Sequence, residues 1–260
     1  MAKKHRNDQN GYRQNGRQGS AKKIVSLVIV LLVALGFGAH DQITDLLPSD
    51  VEDVAVETRD IGEIAEAVPE FDDDPYVTVN GNEPFFTDEE IKESEERGSF
   101  EEYSKLDRYG RPGVCVANVG EDLMPTGERE SIRDIKPPGW HTVFYDDVVP
   151  GENAYNRCHL IAYCLTGENA NRRNLITGTR FLNVEGMLPF EEEAARYVER
   201  TGHHILYQVT PIYNGRDLVA EGVLMEAQSL EDDKISWCVY CYNEQPGLVI
   251  DHRTGAATHE

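Results

Sequence analysis

The chain has 260 residues and a formal net charge of −22, from 47 acidic and 25 basic side chains. This length allows one or two domains. Proteins that bind nucleic acid over a wide surface are usually basic, because binding releases counterions from the phosphates. The charge therefore argues against tight, non-specific binding of nucleic acid over a wide surface, but it is compatible with a local basic cleft.

The N-terminus combines a basic stretch with an apolar one. Residues 1–23 are polar and basic, and residues 24–39 are apolar except for Ser26. Residues 1–39 carry seven Lys or Arg and one Asp, which leaves 18 basic and 46 acidic residues, near −28, in the remainder. This contrast predicts a basic cytoplasmic leader, a membrane contact through residues 24–39 and an external remainder.

The apolar segment fits two kinds of leader. Its 16 residues are close to the lower limit for a helix that spans a bilayer, and they also fit the apolar part of an export signal. We therefore expect a single-pass protein of the cell membrane, or a secreted protein if the leader is cleaved. A buried core helix is the third interpretation, and the flanking charges argue against it.

An acidic stretch follows the apolar segment. Residues 41–75 hold 13 acidic side chains and a single basic one, Arg59, with few aliphatic residues. Such a segment buries too little apolar surface to offset the entropy lost on ordering. Residues 40–75 are therefore predicted to be an acidic flexible linker, within which VEDVAVETRDIGEIAEAV can form a weak helix, and the folded domain is predicted to occupy residues 76–260.

From residue 76 onward, strand and helix patterns alternate with turn signals. In FFTDEEIKESEE, Thr87 and Asp88 resemble a cap that precedes a short helix. Asn214 and Gly215 predict a hairpin turn between two strands. The predicted strands are YVTVN, GVCVANVG, HTVFYDDVV, HHILYQVTPIY, LVAEGVLMEAQSL, ISWCVYCYN and GLVIDHRTG, the last two as a pair. This pattern indicates an α+β domain with a mostly antiparallel sheet and few helices.

The stretch from Tyr155 to Glu191 concentrates side chains suited to phosphate chemistry. His159 can act as a general base because an unperturbed imidazole titrates around pH 6.5. Asn183 offers a neutral oxygen ligand to a hard ion such as Mg²⁺, and Glu191, in the helix-forming run that follows, can hold metal-bound waters. Arg157 lies two residues before the histidine, on the same side of an extended chain, and can contact a phosphate oxygen.

Each of these residues also has an ordinary structural interpretation. A single histidine is more often structural than catalytic. Asn183 fits a helix cap, and Glu191 fits a solvated first helical turn. The arginines of this stretch fit surface charge as well as substrate binding: Arg172, Arg173 and Arg180. The functional interpretation therefore depends on their joint occurrence.

The segment NRCHLIAYCLTGENANRRNLITGTRFLNVEGMLPFE resembles the active-site region of the DNA/RNA non-specific endonucleases, the ββα-metal or His-Me finger nucleases. The hallmark of that family is a D-R-G-H-type tetrapeptide followed by two asparagines. A looser similarity runs from about Val114 to the C-terminus, through MPTGERESI, IKPPGW, YQVTPIYNG and VLMEAQS. The resemblance implies a ββα-metal finger inside the predicted domain.

The resemblance also implies a role for each matching residue. His159 matches the general base and Asn183 the metal-binding asparagine. Asn174 matches the second active-site asparagine, Arg157 the arginine of the tetrapeptide, and Glu191 the helical glutamate near the metal. In the implied reaction, a phosphate bridges to Mg²⁺, with Mn²⁺ as the alternative, while His159 takes a proton from water and the metal stabilises the departing 3′ oxygen, leaving a 5′ phosphate.

The tetrapeptide departs from the family pattern at two positions. Asn156 replaces the Asp, which removes a charge near the base, and Cys158 replaces the Gly, which indicates a backbone conformation open to any residue. Neither change removes a group that the reaction requires, so we expect them to affect its rate and not its type.

The five cysteines cannot all pair within one exported chain. Cys238 and Cys241 form a C-x-x-C, but they lie in a predicted strand, where positions three apart face opposite sides. We therefore expect buried thiols or an incidental disulfide, and a zinc or thiol enzyme is the less favoured hypothesis.

These observations predict a metal-dependent, sequence-non-specific endonuclease that acts on DNA and RNA outside the cytoplasm. The alternative is a catalytically silent extracellular binding module on the same fold. No oligomeric state is predicted.

Overall fold

A seven-stranded sheet lies at the centre of the computed structural model, which describes residues 51–56 and 59–260. In spatial order its strands are β1 (Asp53–Val54), β2 (Tyr76–Val79), β9 (Ser236–Tyr242), β8 (Gly222–Ser229), β7 (Ile205–Ile212), β4 (Cys115–Val119) and β3 (Phe100–Tyr103). Neighbouring strands are antiparallel except for the pair β1 and β2. The predicted α+β class with a mostly antiparallel sheet is confirmed.

Apolar side chains cover both faces of this sheet, which explains the near-continuous apolar runs of its central strands. Cys238 packs in the cluster on one face and Cys241 in the cluster on the other, as expected for strand positions three apart. All five cysteines are free thiols. The hypothesis of a zinc or redox site at the C-x-x-C is therefore wrong, because the two sulfurs lie on opposite faces of the sheet and can neither bind one ion nor pair with each other.

The described part of the chain also contains four α-helices, two 3-10 turns and one π-helical turn. The α-helices are α1 (Ile61–Ala67), α2 (Asp88–Arg97), α3 (Tyr163–Thr166) and α4 (Leu188–Thr201). The predicted cap of α2 is confirmed: Thr87 and Glu90 form a reciprocal capping box. The buried face of α4 packs against one side of the sheet through Phe190, Ala194 and Val198.

The other side of the sheet is covered by residues that the sequence assigned to the linker. β1 pairs with β2, Ile64 of α1 is fully buried, and Arg59 forms an ion pair with the buried carboxylate of Glu226. The folded domain therefore begins near residue 51 and not at residue 76. This acidic segment is ordered despite its composition, because the sheet supplies the apolar surface that the segment lacks. The rest of the predicted linker, residues 40–50, 57 and 58, lies outside the described residues.

Two short ribbons flank the main sheet. One consists of β5 (Tyr155–His159) and β6 (Leu175–Thr179), and the other of β10 (Leu248–Asp251) and β11 (Ala256–His259). The predicted pairing of the strand now numbered β9 with β10 is wrong, because β9 lies between β2 and β8 inside the main sheet.

The predicted strand HTVFYDDVV is also wrong. Its first half makes a single bridge, between Phe144 and Asn153. Its second half folds into a turn, in which the amides of Val148 and Val149 both donate to the carbonyl of Tyr145.

The predicted leader and apolar segment, residues 1–39, lie outside the described residues. Within residues 51–56 and 59–260, no helix combines the length and apolar character needed to cross a bilayer.

Candidate active site

The β5–β6 ribbon and the helix after it carry most of the predicted site residues. His159 is the last residue of β5 and pairs with Leu175, the first residue of β6. After β6, the chain forms a π-helical turn over Leu182–Met187 and continues directly into α4. The order strand, strand, helix therefore brings the histidine, both asparagines and the glutamate of the sequence pattern onto one continuous unit.

His159 is buried, with 6% of its surface exposed, and both of its ring nitrogens have partners. Nε2 lies 2.9 Å from the carbonyl oxygen of Asn169, and Nδ1 lies 3.1 Å from Nη2 of Arg129. A carbonyl oxygen only accepts and a guanidinium only donates, so Nε2 carries the proton and Nδ1 holds the lone pair. The pKa of His159 is lowered to about 4: burial is the largest cause, the hydrogen bond to the Asn169 carbonyl opposes it, and the charge of Arg129 adds to it. The imidazole is therefore neutral near neutral pH.

Asn174 fixes the backbone beyond the histidine. Its side chain is fully buried, with Nδ2 2.9 Å from the carbonyl oxygen of Ile161 and Oδ1 2.8 Å from the amide of Ile161. The amide of Leu160 also donates to the carbonyl of Asn174. Both polar ends of the carboxamide are thus used inside the protein, so Asn174 is a positioning residue and does not reach substrate.

Arg157 contacts the loop of residues 133–140 that precedes β5. Its guanidinium donates to the carbonyls of Ile135 and Arg133 and lies over the ring of Trp140, with 4.0 Å between Cζ and the ring centroid. These contacts hold the loop of residues 133–140 against β5. We therefore assign to Arg157 the positioning of that loop, in contrast to the predicted phosphate contact.

Cys158 points into the core, where it is fully buried. Its backbone φ is not positive, which agrees with the expectation of a conformation open to any residue. The residue opposite Cys158 in β6 is Ile176, and Gly178, which pairs with Asn156, lies diagonally across from Cys158: a Cβ on Gly178 would lie 2.7 Å from Cβ of Cys158. The absence of a side chain at Gly178 makes room for the thiol.

Asn183 and Glu191 lie eight residues apart on one helical run, which is slightly more than two α-helical turns. The intervening π turn closes its hydrogen bonds over five residues instead of four, so it reduces the angular difference between the two side chains. Both are half-buried, and neither side chain makes a hydrogen bond or ion pair within the described residues. The predicted position of Asn183 near a helix start holds, although as part of the helical run and not as its cap.

The carboxyl of Glu191 has an unusual electrostatic environment. Its pKa is raised to about 8: burial is the largest cause, the neighbouring Glu192 adds to it, and Arg129 opposes them. The charge of Arg129 therefore influences the pKa of both His159 and Glu191. Within the described residues, no three His, Cys, Asp or Glu side chains are grouped so as to hold a metal ion.

The three remaining predicted arginines differ in their surroundings. Arg172 and Arg173 are exposed on the 3-10 turn Arg172–Asn174 before β6. Arg180 forms an ion pair with Glu152, with 2.6 Å between Nη1 and Oε2. Arg172 and Arg173 are therefore accessible to a ligand, whereas Arg180 is engaged in a surface ion pair.

Arg129 and Asn169 are the site residues that the sequence analysis missed. Arg129 lies in MPTGERESI, a segment that contributed to the family resemblance without any residue in it being singled out. A basic residue in a loop rich in Pro and Gly was the available signal. Asn169 gave none, because its contact with His159 is made by a backbone carbonyl.

The comparison with known protein families identifies the class of protein. Residues 90–231, more than half of the chain, match the family described as DNA/RNA non-specific endonuclease. The chain belongs to this family, which confirms the resemblance seen in the sequence.

Similar individual proteins are also nucleases. A deoxyribonuclease of Streptococcus dysgalactiae subsp. equisimilis is 32% identical over 107 residues, which cover 39% of this chain and 32% of the relative. The match thus spans about a third of that protein. The crystal structure of NucA from Streptococcus agalactiae with magnesium bound is 24% identical and has a TM-score of 0.64, covering 74% of this chain and 90% of its own.

The structure of Sda1 nuclease with bound zinc is 23% identical and has a TM-score of 0.60, covering 72% of this chain and 97% of its own. At these identities, the two structural matches establish a shared fold.

Proposed function

We propose that this domain hydrolyses phosphodiester bonds of DNA and RNA without sequence preference, with His159 as the general base. The observation that carries the proposal is the buried, neutral imidazole whose Nε2 proton is held by the Asn169 carbonyl, which leaves the lone pair on Nδ1. A base in this state can take a proton from water near neutral pH. Family membership supports the substrate class.

A divalent metal ion at Asn183 and Glu191 is part of this proposal. The two side chains supply an amide oxygen and a carboxyl group, and neither is bonded to another side chain or backbone group of the described residues. So small a set of protein oxygens suits an ion that keeps several waters, such as Mg²⁺, with Mn²⁺ as the alternative. Structures of similar fold that hold magnesium or zinc agree with a divalent ion. Such an ion would stabilise charge on the phosphate and on the leaving oxygen.

The protein residues divide into those that react and those that position. His159 removes a proton from the attacking water at Nδ1. Asn174 and Arg157 hold the backbone on either side of the base in place. The exposed Arg172 and Arg173 contact substrate phosphates, and contacts of this kind carry no information about base sequence.

The location of the domain is a second part of the proposal. We propose that residues 1–39 hold the domain at the outer side of the cell membrane, or direct its secretion if the leader is cleaved. The charge contrast across residue 39 supports this orientation.

The direct test is cleavage of supercoiled plasmid, linear DNA and RNA by the purified full chain, with Mg²⁺ and then with a chelator. His159→Ala removes the base, and His141→Ala removes an exposed histidine bonded to the carbonyl of Thr254 as a matched control. We expect metal-dependent cleavage of all three substrates that only His159→Ala abolishes. Binding of DNA without cleavage, by folded protein across a range of salt and divalent metals, would favour the silent binding module instead.

A further inference from the structure

Arg129 makes the contact that decides whether His159 can act. Its Nη2 lies 3.1 Å from Nδ1 of His159, and its Nε lies 3.2 Å from Oδ1 of Asn169. Its Cζ lies 5.1 Å from the ring centroid of Tyr163. The side chain of Arg129 is exposed, whereas His159 is buried beneath it. The guanidinium therefore covers the solvent side of the imidazole.

This contact leaves no ring nitrogen of His159 open to water. Nε2 donates to the carbonyl of Asn169, and the lone pair of Nδ1 accepts from Arg129. A general base must hold its lone pair within hydrogen-bond distance of the water that it deprotonates. The arrangement thus combines the correct tautomer for catalysis with a blocked reacting atom.

We propose that Arg129 is a cap on His159 that the substrate displaces: the guanidinium leaves Nδ1 for the oxygens of the phosphodiester, and Nδ1 then becomes free for water. This inference rests on the proposed function, and it adds a catalytic residue and an order of events. The proton of the water passes to Nδ1, the resulting hydroxide oxygen forms a bond to phosphorus, and the bond from phosphorus to the 3′ oxygen breaks. The leaving oxygen takes up a proton from solvent.

Three features favour the exchange of imidazole for phosphate. A guanidinium binds a phosphate with two parallel charge-assisted hydrogen bonds, which are stronger than one bond to a neutral ring nitrogen. The hydrogen-bond partners of the Arg129 guanidinium are a neutral ring nitrogen and an amide oxygen, so no carboxylate of the described residues competes with the phosphate for it. Its exposure lets a ligand reach it without unfolding of the site.

Asn169 provides the fixed point for this exchange. Its carbonyl holds Nε2 of His159, and its Nδ2 donates to the carbonyl of Glu130 at 2.7 Å, which ties the loop of Arg129 to the site. When the guanidinium leaves Nδ1, these two bonds can persist. The imidazole therefore keeps its tautomer and orientation while its reacting nitrogen is released.

The test compares the acidic limbs of two pH profiles. The limb of kcat/KM reports the base in the free enzyme, and the limb of kcat reports it in the substrate complex. Among the charged groups of the described residues, Arg129 alone acts on the pKa of His159. In the wild type, the limb of kcat/KM should therefore lie at lower pH than the limb of kcat, because the cap is present only in the free enzyme.

Arg129→Ala should move the limb of kcat/KM to higher pH and narrow the gap between the two limbs. It should also lower kcat/KM on the order of 100-fold, as expected for loss of a donor to transition-state charge. Arg129→Lys keeps the charge but not the paired donors. Its acidic limb of kcat/KM should therefore lie at a lower pH than that of Arg129→Ala. Arg216→Ala, which removes one guanidinium from the loop between β7 and β8, should change neither limb.

A second readout does not depend on turnover. In protein labelled with ¹⁵N-histidine and kept in chelator, the dinucleotide thymidylyl-thymidine should shift the Nδ1 resonance of His159 in the wild type and much less in Arg129→Ala. If Arg129→Ala lowers kcat/KM but leaves its acidic limb at the wild-type pH, Arg129 binds phosphate without capping the base, and the proposal is overturned. If the wild type cuts no substrate, the proposed function fails, and the Nδ1 resonance still reports whether a phosphodiester displaces the arginine.

Discussion

The carboxamide of Asn174 forms both of its hydrogen bonds with the backbone of Ile161, two residues beyond His159. This pairing closes the loop that separates β5 from β6 and fixes the direction in which β5 ends. The base therefore owes its position to an asparagine that does not contact the substrate.

Asn174→Ala should reduce both stability and turnover. The change leaves the amide and carbonyl of Ile161 without partners in a buried site, which costs about 1–3 kcal/mol for each unsatisfied group. Because the backbone after His159 is then free to shift, kcat should fall more than KM rises. Chemical denaturation and steady-state kinetics measure the two effects.

Asn243 provides the matched control. It is fully buried and bonds the carbonyls of Thr177 and Ala220 and the amide of Thr179, at the end of β6 away from the histidine. Asn243→Ala should lower the free energy of unfolding to a similar extent, with a smaller loss of kcat in the protein that is still folded. Equal losses of kcat in the two variants would show that Asn174 acts only through stability.

The sequence predicted those features that depend on local patterns. The capping box of α2 needs only Thr87 and Glu90, and the burial of β4 follows from a run without charge. The role of Asn174 was not predictable, because its partners are backbone groups that any residue supplies. Arg59 was assigned to a linker because its partner, Glu226, lies 167 positions away in the chain.

The pH dependence of activity should reflect the lowered pKa of His159. The base acts only when it is neutral, and burial lowers its pKa from 6.5 to about 4. The kcat/KM of the wild type, which reports the free enzyme, should therefore persist as the pH falls through 6.5 and decline only as the pH approaches 4. A decline centred near 6.5 would show that the imidazole is more accessible to solvent than it is here.

Stability changes in the same range have to be measured alongside the pH profile. Since the folded pKa of His159 lies below the unfolded value, the unfolded chain binds the proton more tightly between pH 4 and 6.5. This group therefore lowers the free energy of unfolding as the pH falls through that window. Circular dichroism at each pH separates loss of fold from protonation of the base, and His159→Asn should remove this part of the pH dependence of stability.

Loss of either proposed metal ligand should weaken metal binding. Asn183→Ala removes the amide oxygen and Glu191→Gln removes the carboxyl group that ionises to hold the ion, so each should raise the Mg²⁺ concentration needed for half-maximal cleavage. Isothermal titration with Mn²⁺ should show the same weakening without any substrate present. An unchanged metal affinity in both variants would contradict the placement of the metal on this helix.

Glu199→Gln is the control for this pair of variants. Glu199 is exposed, lies on the same helix two turns beyond Glu191, and loses the same charge in the substitution. The metal affinity of this variant should match the wild type. A general effect of helix charge on metal binding would appear in Glu199→Gln as well as in Glu191→Gln.

The ion pair between Arg59 and Glu226 should stabilise the domain without contributing to the active site. The carboxylate of Glu226 is fully buried, receives hydrogen bonds from the amide of Phe85 and from Gln208, and lies 3.2 Å from Nε of Arg59. Arg59→Ala leaves an uncompensated buried charge, which costs about 3–5 kcal/mol. Thermal and chemical unfolding should show this loss, while kcat and KM of the folded protein stay near the wild-type values.

The exposed pair of Arg97 with Glu102 separates this effect from a general loss of an arginine. Their side chains are 37% and 56% exposed, and pairs of this kind contribute about 0–1 kcal/mol. Arg97→Ala should therefore change the free energy of unfolding far less than Arg59→Ala. If the two variants were equally stable, residues 59–75 would not be anchored through Glu226, and the boundary of the folded domain would return to residue 76. A large loss in Arg59→Ala alone would instead support the boundary near residue 51, because only a segment packed on the sheet can hold that charge.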